Sequence, residues 1–91
     1  MLVLPRALTQ REATACLHML LQALRAQKDA REVIADASAL VDFDSAALAV
    51  LLACRRESLA EGKTFVVKDL PEKLRALAGL YGVAELLPAA P

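Results

Sequence analysis

Aromatic residues are almost missing from this 91-residue chain: they make up 3% of it, with one tyrosine, two phenylalanines and no tryptophan. No platform is left on which bases or sugars could stack. An excess of charge of one sign is missing too. Eleven basic residues face eleven acidic ones, and no like-charged run is longer than Arg55-Arg56, so capture of nucleic acid by a basic surface is not expected. The longest apolar run, Ala46 to Cys54, is less than half of the ~20 residues that a bilayer span requires. No basic segment precedes an apolar one at the N-terminus, so neither a signal peptide nor membrane insertion is expected. Glycine is confined to positions 62, 79 and 82, near helix ends or within the last helix, which leaves no phosphate-cradling loop after a strand. The single histidine, His18, falls on the polar side of a helical pattern. Cys16 and Cys54 lie far apart without a CxxC or a histidine partner, and read as small hydrophobes in a reduced, cytoplasmic interior. The expectation is a protein that is not an enzyme, with no cofactor and no metal site.

What is present is leucine, alanine and valine. Hydrophobic residues reach 57% of the chain, against a usual ~45–50% apolar, and a chain of this length has room for one core. Met1 to Leu4, ended by Pro5, reads as a strand. Thr9 and Glu12 have the spacing of a capping box, with each side chain reaching the other's backbone. Apolar residues then recur at 13, 16, 17, 20, 21 and 24, the period of a helix with one buried stripe. Val33-Ile34-Ala35 reads as a second strand and Ser38 to Asp44 as a loop. Ser45 to about Glu61 reads as a helix with Gly62 at its C′ position. Lys63 to Val67 reads as a third strand, and Pro71 is suited to the first position of a third helix that runs to Tyr81. Val83 to Leu87 adds a last turn, and Pro88 to Pro91 is expected to fray. The alternation predicts a single α/β domain over residues 1–87 with a tail at 88–91, built as a short, mostly parallel sheet with helices packed against it.

One site stands out. Asp44-Ser45 joins the central strand to the second helix, where free backbone N–H groups and the positive end of the helix dipole favour an anionic oxygen, whether a phosphoserine's or a partner's carboxylate. Serine at such a position is ordinarily an N-cap, and Asp42 and Asp44 would repel a phosphate dianion. Asp36, Asp42 and Asp44 read as caps and turn residues rather than as a cation site. In the helix that follows, Leu48, Leu51, Leu52 and Leu59 read as the core stripe, leaving Ala46, Ala49, Val50 and Ala53 on the other side. A flank of small apolar residues beside an exposed serine reads as a surface on which another protein docks, the alternative being alanine chosen for its helix propensity alone.

Four segments together resemble a STAS domain: Val33 to Ser38, Phe43-Asp44-Ser45-Ala46-Ala47-Leu48, Lys63 to Val67, and Leu80-Tyr81-Gly82-Val83-Ala84-Glu85-Leu86-Leu87. In one branch of that family, the anti-sigma-factor antagonists, the serine after the aspartate is phosphorylated and the partner is a kinase-type anti-sigma factor; the phosphorylated residue here would be Ser45. That motif usually continues Ser-Gly-Leu, whereas this chain has Ala46-Ala47-Leu48. The short first strand, the opening Leu4-Pro5-Arg6-Ala7-Leu8-Thr9 and the ending Leu80-Tyr81-Gly82-Val83 are more similar to the MlaB-type subunit of a bacterial phospholipid ABC transporter. This resemblance implies a non-catalytic accessory subunit bound to the ATPase subunit of the transporter, cytoplasmic and held at the inner membrane through that partner. The implied contact residues are Asp44, Ser45, Ala46, Ala49, Val50 and Ala53.

Overall fold

Two of the expected strands appear as five-residue segments and the first as a shorter one. In the computed structural model, which describes residues 1–91, β1 spans Leu2–Val3, β2 Ala7–Leu8, β3 Glu32–Asp36, β4 Asp42–Phe43 and β5 Thr64–Lys68. β1, β3 and β5 form a parallel sheet with β3 in the middle. Its register sets Leu2 opposite Ala35, Val33 opposite Phe65, and Ala35 opposite Val67. Because side chains alternate across a strand, these residues share one buried face, while Val3, Ile34 and Val66 lie on the other. Three helices connect and cover the strands: α1 at Ala13–Ala26, α2 at Ser45–Ala60 and α3 at Glu72–Leu80. α1 packs on β1 and α2, and α2 packs on β5 and α3. α1 and α2 thus form one layer against the sheet, whose buried face carries Leu2, Val33, Ala35, Phe65 and Val67. The α/β architecture expected from the sequence is thus present, and no helix is long and apolar enough to cross a membrane.

The core is a single cluster in which Leu2, Leu20, Leu24, Val33, Leu51, Val67 and Leu74 are buried. Cys16 and Cys54 belong to it as free thiols. Burial raises the Cys16 thiol above its ordinary range. Burial, with Cys16 adding to it, pushes Cys54 up to about 12. Both are therefore held as neutral thiols, which are poor nucleophiles.

Helix ends follow local chemistry with two departures from expectation. The Glu12 carboxylate does reach back to the Thr9 N–H at 3.0 Å, but the Thr9 hydroxyl donates to that same carboxylate, also at 3.0 Å, instead of capping the Glu12 N–H. Half of the capping box forms, and α1 begins one residue beyond it. Pro71 precedes α3 as its N-cap rather than opening it as the first helical residue. Gly62 and Gly82 take positive φ values of 73° and 71°, and each is followed by a residue whose N–H closes the helix: Lys63 donates to Ser58 O and Val83 to Ala78 O, both at 2.9 Å. Two Schellman ends result, and glycine is needed at both because a side chain is strained in that conformation.

Long-range pairing supplies what local patterns do not show. The segment 38–44, read as a loop, contains β4, which pairs in parallel with β2. The N–H groups of Val41 and Asp42 both donate to Arg6 O, at 2.8 and 3.0 Å. The final residues, expected to fray, are hydrogen-bonded: Val67 N–H donates to Pro88 O and Ala90 N–H to Val67 O, each at 2.8 Å. Residues 88–90 thereby extend the sheet beside β5, and Leu87 just before them is fully buried. Lys63 is buried at 6% exposure. Its ammonium donates to the carbonyl of Gln27, the C-cap of α1, and lies 3.4 Å from a Glu61 oxygen. A buried cation is thus neutralised by a helix C-terminus and a carboxylate.

Candidate partner-docking site

β3, β4 and the start of α2 bring the predicted site together. β3 ends at Asp36, whose carboxyl accepts the Ser38 N–H at 3.0 Å. Hydrogen bonds from the Ser38 hydroxyl and N–H, with help from the Lys68 charge, hold that carboxyl below the usual range. The chain then turns through Leu40, which is buried, and β4 delivers Asp44 in extended conformation at the N-cap of α2. One Asp44 oxygen accepts the Ala46 N–H at 2.8 Å. The other accepts the backbone N–H of Gln10 at 3.0 Å, across 34 residues of sequence. The cap is therefore Asp44 and not Ser45, and the same side chain ties the α2 start to the turn before α1. Ser45 occupies the first helical position, exposed, with its hydroxyl taking no part in the cap.

The outward face of α2 differs from the pattern read in sequence. Val50, assigned to the exposed flank, is buried at 3%, and Leu59, assigned to the core stripe, is 46% exposed. Leu52 is half-buried, whereas Leu48, Leu51, Cys54 and Ser58 are buried. The reason is that α2 has apolar residues all round, so the period alone does not say which side faces the sheet. Successive steps of about 100° set the outward stripe as Ser45, Ala49, Ala53, Arg56 and Ala60, with Ala46 and Leu52 at its edges. Ala49 is exposed and Ala46 and Ala53 half-exposed. Of the six predicted contact residues, Asp44, Ser45, Ala46, Ala49 and Ala53 come together on the surface, and Val50 does not.

An open concavity of about 350 Å³ lies beside this helix start, lined by Gln10, Asp44, Ser45, Ala46 and Ala49. Gln10 is the residue that sequence reasoning missed. It comes to the site through the Gln10–Asp44 hydrogen bond, and no local pattern announces a contact at that separation. A second, more apolar groove of about 410 Å³ runs past Pro5, Ala15 and Met19 on the α1 side. The first concavity has a carboxylate, a hydroxyl and small side chains, and lacks a paired acid and base.

A family model described as "Mlab, STAS domain" matches residues 1–88 of the sequence. The chain belongs to the STAS domain family. No curated protein matches it. Membership supports a binding role for this STAS domain, as an accessory subunit or as an antagonist of an anti-sigma factor, and STAS domains are in general non-catalytic. The matched region runs through Leu87 into Pro88, the residue whose carbonyl pairs with β5.

Proposed function

We propose that this STAS domain is a non-catalytic accessory subunit of a phospholipid-transporting ABC system, binding and supporting the ATPase subunit through the start of α2. The observation that carries the reading is the meeting of an exposed Ser45 with Ala46 and Ala49 at the rim of a concavity, with Ala53 one turn further along the same outward stripe. Small side chains let a partner's backbone come close, and the apolar strip is desolvated when it does. The description of the matching family model, which names MlaB, supports this branch. A subunit that binds only the folded ATPase stabilises it by mass action, without contributing a group to hydrolysis. Bound in this way, the protein sits at the cytoplasmic side of the inner membrane by virtue of its partner.

Co-expression with an ABC ATPase of this class tests the reading: the two chains purify as a stoichiometric complex, and Ser45→Arg abolishes the complex while the circular dichroism spectrum stays that of the parent. Absence of a complex at high concentrations of both chains overturns it. Capture of a kinase-type anti-sigma factor instead, released when Ser45 is phosphorylated, assigns the protein to the antagonist branch.

A further inference from the structure

The outward face of α2 carries a single charge along its length. That charge is Arg56, which is exposed, and it has no ionic partner: the two ion pairs of the chain are Arg25–Glu57 and Lys63–Glu61. At the opposite end of the same stripe lies the concavity beside Ser45, with the Asp44 carboxylate in its wall and exposed Asp42 just before it. Between the two ends stand Ala49, Leu52 and Ala53. The stripe thus has an acidic receptor at its start, small apolar residues in its middle and an unpaired cation about 16 Å beyond Ser45, eleven residues at 1.5 Å each. Turned end for end, this pattern matches itself.

We propose that the free protein pairs with a second copy of itself through α2, the two helices antiparallel about a two-fold axis near Ala49 and Ala53, with Arg56 of each copy entering the concavity beside Ser45 of the other. A two-fold interface must be self-complementary, and antiparallel pairing meets that requirement twice, since each copy supplies one cation and one acidic pocket. The Ala49 and Ala53 positions, four residues apart on one side, let the helix axes approach closely at the crossing. The guanidinium suits the pocket because it is planar and presents several N–H donors, from which the Asp44 carboxylate and the Ser45 hydroxyl oxygen can accept. One helix face about 24 Å long is at the low end of interface size, so the pair is weak and transient. It uses the face proposed above for the ATPase, and on that reading self-pairing and partner binding exclude each other.

Sedimentation equilibrium of the purified chain alone, at loadings from about 10 µM to about 1 mM, tests the pairing without any partner. The expected result is a monomer–dimer equilibrium that weakens as salt is raised. Arg56→Glu should raise the dissociation constant about tenfold or more, and Asp42→Lys added to it should restore pairing. Arg56→Gln provides an uncharged second variant, and circular dichroism reports whether each stays folded. A parent chain that remains monomeric at the highest loading overturns the proposal. So does a dimer whose dissociation constant is unchanged by both Arg56 substitutions, which would place the contact elsewhere, as on the open β1 edge where Val3 is 61% exposed. Loss of the ATPase complex with pairing intact would bear on the functional reading alone.

Discussion

Replacing Asp44 with alanine separates two roles that neighbouring residues were expected to share. The Asp44 carboxylate accepts the Ala46 N–H at 2.8 Å and the Gln10 N–H at 3.0 Å, whereas Ser45 stands outside the cap. An N-cap replaced by alanine costs about 1 kcal/mol. A second hydrogen bond is worth about 1 kcal/mol net, less where water can replace the lost acceptor. Both bonds are exposed, so Asp44→Ala is expected to cost about 1.5–2 kcal/mol. For a domain whose whole stability is of order 5–15 kcal/mol, this lowers the melting temperature by about 10 °C, at about 4–8 °C per kcal/mol for this size. Asp44→Asn keeps the acceptor for Ala46 but presents an NH2 group to Gln10 if its amide oxygen stays on the cap, and should lose about half as much. Ser45→Ala should stay within about 0.5 kcal/mol of the parent, as exposed substitutions ordinarily do. Thermal and urea denaturation followed by circular dichroism at 222 nm measure all three. Ser45→Ala costing as much as Asp44→Ala, or Asp44→Ala costing nothing, would refute the assignment of the cap.

Two further outcomes follow from burial. The native state holds the Cys54 proton up to about 12, while an unfolded thiol releases it near pH 9.0. Between those values the folded state binds more protons, so stability is full below pH 9 and falls as pH rises, by roughly 1 kcal/mol per pH unit; urea titrations at pH 8 and pH 10 should show this loss, and Cys54→Ala should lessen it, with the raised Cys16 thiol contributing in the same direction. Leu51, with 0% exposure, should cost about 2–5 kcal/mol when changed to alanine, whereas half-buried Leu52 should cost clearly less in the same urea titration; equal costs would mean that the orientation of α2 has been misread.

Local chemistry determined a large share of this protein by itself. Gly62 ends α2 and Gly82 ends α3 because an αL residue is needed to close each Schellman turn, and that requirement acts within a few residues. The stripe at Cys16, Leu20 and Leu24 was legible because α1 carries polar residues on its other side. Val33-Ile34-Ala35 and Phe65-Val66-Val67 were legible as buried strands from branched apolar runs between turn residues. The position of Asp44-Ser45 at a helix start was also readable from the order of strand, short loop and helix.

Tertiary structure decided the rest, and in each case the reason is a partner distant in sequence. α2 is apolar on every side, so only packing against α1, β5 and α3 showed that Val50 is core and Leu59 is not. β2 and β4, two residues each, have too little pattern to be seen alone and exist through pairing with one another. Pro88 to Ala90 looked like a tail because its partner, Val67, lies more than twenty residues earlier. Asp44, a cap candidate from sequence, also meets Gln10, a contact across 34 residues that closes the site from the far side. Composition and periodicity act over a few residues, and they placed the helix start. Which of its side chains are held, which are buried and which are left free for another molecule was decided by the chain folding back on itself.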